Sequence, residues 1–177
     1  MKEDTPIVNR VASSPLITFD LETYYHQGER VLFDIKDFLF EEMILREKDF
    51  RVKIKEFNWE QFDGKNIAVF CSVDAIIPSW AWMLIMTQLS PFASMVVQGD
   101  LPALEMALFQ QALGSVNVEE YRDKKVVVKG CGKYPVPDSA YLEITRLFTP
   151  VVSSLIYGEP CSTVPLYKRP VQAKEQK

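Results

Sequence analysis

Residues 58–100, "NWEQFDGKNIAVFCSVDAIIPSWAWMLIMTQLSPFASMVVQGD", align without a gap to residues 117–159, "NVEEYRDKKVVVKGCGKYPVPDSAYLEITRLFTPVVSSLIYGE", at a constant offset of 59. Ten of the 43 pairs are identical, among them Pro78/Pro137, Pro91/Pro150 and Gly99/Gly158. A shared hydrophobic pattern alone would not place two prolines and a glycine in register, so the chain is expected to contain a duplicated unit. This repeat constrains the fold more than any other feature, because whatever one copy forms the other must form as well.

Each copy reads as strand, loop, helix, strand. "NIAVFCS" and "KVVVKG" are unbroken apolar or β-branched runs, the pattern of parallel strands covered on both faces. Pro78 and Pro137 fall in the first turn of the following helices, where the missing N–H costs nothing. Pro91 and Pro150 forbid continuation past Leu89 and Phe148. "SMVVQG" and "SSLIYG" supply the second strands. Between the copies, residues 101–116 form a connecting helix whose Leu104, Ala107, Leu108 and Leu113 share a face. The expected fold is α/β: a mainly parallel sheet flanked by helices, two βαβ units and an N-terminal extension, in a single domain over residues 1–177.

The extension, residues 1–57, contains two strand-like runs, "LITFDL" and "RVLFDI", joined through Gly28; a hairpin is the expected arrangement. "REKDFRVKIKEF" then places Phe50, Ile54 and Phe57 on one helical face. The C-terminal tail, residues 160–177, ends in polar "KRPVQAKEQK", and that last stretch is expected to be disordered.

A net charge of −4 with no basic patch excludes nonspecific nucleic-acid binding, which depends on displacing counterions from phosphates. The N-terminus has no apolar stretch of a signal peptide, and the most apolar run, "AIIPSWAWMLIM", is too short to span a bilayer. No membrane partner is expected, and a cytoplasmic location is. There the three cysteines should be reduced thiols or ligands.

Ligands of open α/β sheets bind along the C-terminal edge of the strands. On a single sheet that edge would gather Cys71 and Asp74 from the first copy, Cys131 and Lys133 from the second, and Asp100, Glu159 and Cys161 from the later strands. Three chemistries compete for the cysteines. Cys71, Cys131 and Cys161 could ligate zinc or an iron–sulfur cluster, with the lone His26 as a fourth ligand, although no C-x-x-C pair is present. Cys131 could be a nucleophilic or sulfur-accepting thiol, lying between glycines ahead of a helix and near Lys129 and Lys133. Or the cysteines could be small buried hydrophobes. "KGCGKYPVP" lacks phosphate-loop spacing. Asp34 and Asp37 are candidate acid–base groups, with solvated charges as the plainer reading. The Trp- and Met-rich first helix of the repeat offers a docking surface or a homodimer contact.

With "FDIKDFLFEEMILREKDFR", "CSVDAIIPSWAWML", "KGCGKYPVPDSAYLEITR" and "GEPCSTVPLYKR" together, the chain from about residue 16 to residue 169 resembles an uncharacterised bacterial family of unknown function, the domain-of-unknown-function family numbered twenty-four eighty. Genes of that family often neighbour sulfur-mobilisation genes for iron–sulfur cluster assembly. The resemblance therefore implies an accessory role in cluster or metal handling, with assembly proteins as partners. It carries over no established catalytic residue. Only the motif cysteines Cys71, Cys131 and Cys161 come with it, as candidates.

Overall fold

A computed structural model describes residues 16–159 and 162–170. In chain order these residues form β1 (Leu16–Asp20), β2 (Arg30–Asp34), α1 (Glu47–Glu56), β3 (Asn66–Phe70), α2 (Ser79–Leu89) and β4 (Met95–Gln98). There follow α3 (Leu101–Gly114), β5 (Lys125–Lys129), α4 (Asp138–Phe148), β6 (Ser154–Glu159) and β7 (Ser162–Lys168). The fold is α/β. No helix among the described residues is long and apolar enough to cross a membrane.

The strands divide into two sheets, β2-β3-β4, which is parallel, and β1-β5-β6-β7, in which only β7 runs antiparallel. The chain accordingly splits into two compact units, His26–Ala112 and Met1–Tyr25 with Leu113–Lys177.

The two copies form the same elements in the same order. β3 and β5, and likewise α2 and α4, begin and end at positions 59 apart. Ser94 N–H donates to Lys65 C=O and Ser153 N–H to Lys124 C=O, both at 2.8 Å. Gly64 and Asp123, also 59 apart, both adopt left-handed backbone with φ of 67° and 59°. Aspartate tolerates that region better than most side chains, so the copies keep the turn although only one keeps glycine.

The expected N-terminal hairpin does not form. β1 pairs parallel with β5 and β2 pairs parallel with β3. Leu16 lies beside Lys125 and Arg30 beside Asn66, so both strands meet their copy in the same register. Each repeat is thus a ββαβ unit whose first strand comes from the extension, and the unit built on β2 is inserted between β1 and the rest of the other. The reason is local. After each strand an aspartate, Asp20 or Asp34, accepts the N–H two residues on at 3.0 Å and starts a 3-10 turn. Such Asx capping carries each strand into its own turn instead of a two-residue hairpin loop.

In the unit of β2, β3 and β4, Phe33, Phe38, Phe50, Ile54, Ile67, Val69, Ala81 and Ile85 are among the buried residues of one cluster. Trp59 joins it with its indole N–H on Ile54 C=O at 2.8 Å. Ala68 faces the other side, against Leu104 and Leu108 of α3. Both faces of β3 are therefore covered, which is why it reads as an unbroken apolar run. The other unit buries Phe19, Leu21, Val126, Val128, Ala140, Ile144 and Phe148. Phe148 meets Phe19 and Tyr121 at centroid distances of 4.9 and 4.8 Å.

Residues 162–168, for which the sequence predicts no element, are β7, antiparallel to β6. Pro165 obscures this strand in the sequence, but proline is accepted at a sheet edge beside a bulge, here between Leu155 and Ile156. Arg169 then donates to Val151 C=O at 2.5 Å. Residues 171–177 lie outside the described residues.

Candidate functional site

Because the copies lie in two sheets, the described cysteines do not share one sheet edge. Cys71 follows β3 and Cys131 follows β5. Cys161 and the side chain of Glu159 lie outside the described residues. Among the described residues no group of three or more His, Cys, Asp and Glu is placed to hold a metal ion.

Cys71 is half-buried, and its Sγ lies 3.5 Å from Val73 C=O. It lines a cleft of about 370 Å³ with Asp74, Trp82 and Gly99, at the C-terminal end of the parallel sheet. Asp100 does not reach toward a ligand; its carboxylate accepts Ala103 N–H at 3.0 Å and caps α3. His26 is engaged too. Its Nδ1 accepts Gly28 N–H at 3.1 Å and faces the Asn66 amide at 3.1 Å, so this nitrogen acts as an acceptor in a local turn.

Asp34 and Asp37 stand on a separate groove of about 640 Å³ with Lys53 and Glu56. Burial pushes the Asp34 carboxyl up, but the Ser72 hydroxyl and the N–H groups of Lys36 and Ser72 outweigh it and hold the group below its ordinary value. That carboxylate ties β2 to the loop after β3.

The loop after β5 is built differently. Cys131 is exposed there. The three N–H groups that follow it, of Gly132, Lys133 and Tyr134, all donate to the Glu22 carboxylate, those of Lys133 and Tyr134 at 2.7 and 3.2 Å. Successive backbone donors of this kind form an anion-binding concavity. The Lys133 N–H is the largest of the influences that hold Glu22 below the ordinary carboxylate value. Tyr134 stacks on Tyr25, centroids 4.5 Å apart, which closes the far end of the loop.

The flanking glycines have steric causes. A Cβ on Gly130 would sit 2.8 Å from the Tyr141 hydroxyl, and one on Gly132 would sit 2.8 Å from a Glu22 carboxylate oxygen. In the first copy these positions are Cys71 and Val73, where Trp82 replaces Tyr141 and Lys36 replaces Glu22. Cys131 itself aligns with Ser72. "GCG" is therefore what this backbone requires once Glu22 and Tyr141 occupy the space beside it.

The two lysines expected to act on the thiol have other partners. Lys129 Nζ lies 2.9 Å from Asp20, and Lys133 Nζ lies over the Tyr134 ring at 4.9 Å. Tyr141 stands beside the same loop, its hydroxyl next to Gly130. Its hydroxyl is pushed up to about 12, first by burial and then by Tyr157, Cys131 and Glu22. Tyr141 and Tyr157 also line a groove of about 420 Å³ with Asp138, Leu142 and Leu166. The site thus presents one exposed thiol on a braced loop, beside a protonated phenol.

The family described as "Protein of unknown function (DUF2480)" matches residues 5–169. The chain belongs to that family. No curated protein and no solved structure matches the chain. The family's description assigns no activity, so the chemistry has to be argued from the site.

Neither Glu22 nor Tyr141 stands out in the sequence as a site residue. A signal for Glu22 exists nonetheless: "FDLET" and "FDIKD" repeat Phe-Asp-apolar at a spacing of 14 and so mark equivalent turns. Tyr141 is marked by its alignment with Trp82.

Proposed function

We propose that Cys131 is the working group of this protein, a single thiol that accepts and carries sulfur in an accessory role to iron–sulfur cluster assembly. The observation that carries the reading is the exposed Cys131 on a loop braced by three backbone N–H groups on Glu22. Bracing keeps the thiol presented to a large donor without a side chain at residues 130 or 132 in the way. The assembly context rests on the family resemblance described above.

The step is a simple exchange. The Cys131 thiolate attacks the terminal sulfur of a donor persulfide, R–S–SH. The donor's S–S bond breaks, R–S⁻ leaves with the electron pair, and Cys131 becomes Cys131–S–SH. Thiol exchange of this kind needs an accessible thiolate and a good leaving group, and no second residue has to bind a metal. A ligand role would need further donors beside Cys131, and none are grouped there among the described residues.

The test is to purify the chain anaerobically with persulfides preserved and to map extra sulfur by mass spectrometry, with metal analysis in parallel. Sulfur on Cys131, lost in Cys131→Ser and retained in Cys71→Ser, is the expected result. Bound zinc or iron that departs with Cys131→Ser would make the residue a ligand instead. A Cys131 that never takes up sulfur would end the reading.

A further inference from the structure

The two units carry the same groove beside the same strand, and among the described residues only one of them is finished by a further strand. In the unit of β5 and β6, the groove is lined by Val128, Tyr141, Leu142, Thr145 and Tyr157. In the unit of β3 and β4, a groove of about 260 Å³ is lined by Val69, Trp82, Met83, Met86 and Gln98, each 59 residues earlier than its counterpart. Over the first, β7 lies antiparallel along β6 and contributes Leu166 to the groove. Along the second, β4 is the last strand of its sheet. The chain leaves β4 directly into α3, and no other strand among the described residues pairs beside it.

The composition around β4 matches an edge that is meant to be covered. Exposed edge strands are normally guarded by charges or proline. The strand is "MVVQ", and α2 beside it, "SWAWMLIMTQL", carries no charged residue. Its Met83 and Met86 are 69% and 45% exposed. The equivalent α4 carries Asp138, Glu143 and Arg146. The opposite edge of the same sheet, β2, is guarded: its groove includes Asp34, Asp37, Lys53 and Glu56. The β4 edge thus combines a ladder unpaired among the described residues, an apolar groove and no charge.

We infer that β4 is the docking edge for a second copy of this chain, which pairs its own β4 antiparallel along it. The second unit shows what the position takes, an antiparallel strand that seats an apolar side chain over the groove. A second copy is the occupant that satisfies both open edges at once, because a two-fold contact pairs the same patch with itself. With the axis perpendicular to the sheet, both α2 helices lie on the same face. Met83 and Met86 of each copy then cover the other's groove, and the flexible thioethers fill the seam. The inference goes beyond the reading of Cys131 and does not depend on it.

The experiment is the mass of the full chain by light scattering and sedimentation over a range of concentrations, with hydrogen exchange of residues 95–98 at high and low concentration. The expected results are a dimer and β4 amides that lose protection on dilution. Met83→Lys with Met86→Lys should weaken association by roughly 100-fold or more, because four like charges would meet at the seam. Both positions are exposed, so the variant should fold. Leu142→Lys, at the equivalent position of the other unit, should leave the dimer unchanged. A monomer at every concentration would overturn the inference. So would a dimer that survives the double lysine variant, or one lost equally with Leu142→Lys. β4 protection that does not change on dilution would also overturn it.

Discussion

Glu22 and Lys133 stand 111 residues apart in the chain, and the carboxylate of the first accepts the backbone N–H of the second at 2.7 Å. With Gly132 and Tyr134 bonded to the same carboxylate, one side chain from the turn after β1 holds the loop that presents Cys131. Glu22→Ala should therefore lower the melting temperature and raise hydrogen exchange at residues 132–134, while α2 and its neighbours keep their protection. Exchange at residues 132–134 equal to wild type would show that the loop is held by something else.

The same contact sets a pH dependence. Backbone donors hold Glu22 below its ordinary value of 4.5, so the folded state favours the ionised form. A carboxylate with a lowered folded pKa contributes stability that is present above the unfolded value and is lost as pH falls through the folded one. Thermal unfolding followed downward from pH 5 should show a loss of stability that Glu22→Gln lacks. An identical acid limb in both proteins would remove Glu22 from the account.

Tyr141 gives the opposite limb. Its hydroxyl is pushed up to about 12, so the folded state favours the neutral phenol. That contribution is complete below the unfolded value near 10 and is lost as pH rises through the folded one. A tyrosinate absorbance titration should contain a late step that Tyr141→Phe removes. Loss of an early step instead would place this phenol in water.

Much of the fold was legible in the residues, and the gaps have physical causes. The strand and helix limits of both copies follow from Pro78, Pro91 and their partners at 137 and 150, which act through local backbone geometry. What could not be read was which strand pairs with which. β1 and β2 are each apolar runs before an Asp-capped turn, and their assignment to different copies depends on long-range register that no local signal encodes. β7 was hidden because Pro165 argues against a strand unless that strand is known to lie at an edge. Of the proposed site, Cys131 is the one residue that stands out in the sequence. Glu22 is marked only by the equivalence of its turn with the one at Lys36, because a carboxylate whose partners are backbone N–H groups leaves no complementary residue in the sequence.

Gly130 tests the steric account of the loop. A Cβ there would meet the Tyr141 hydroxyl at 2.8 Å, and Leu21 and Val136 at 3.1 Å. Gly130→Ala should cost about 1–3 kcal/mol, as overpacking of a closed site does. Adding Tyr141→Phe should return part of that loss, because it removes the nearest atom. Strict additivity of the two changes in chemical denaturation would show that the two positions are not in contact.

Phe148 tests the core that supports the site. It is fully buried against Phe19 and Tyr121, so Phe148→Ala should cost about 3–5 kcal/mol in denaturant unfolding. A loss below about 1 kcal/mol would contradict the packing described for this unit.

The central claim is that Cys131 receives sulfur. The direct measurement is site-resolved mass spectrometry of the folded chain after incubation with a persulfide donor, run on the wild type, Cys131→Ser, Cys71→Ser and Cys161→Ser. The account predicts one added sulfur on Cys131, present in the wild type and in the other two variants and absent in Cys131→Ser. Sulfur that goes to Cys71 or Cys161 with Cys131 left unmodified would contradict it.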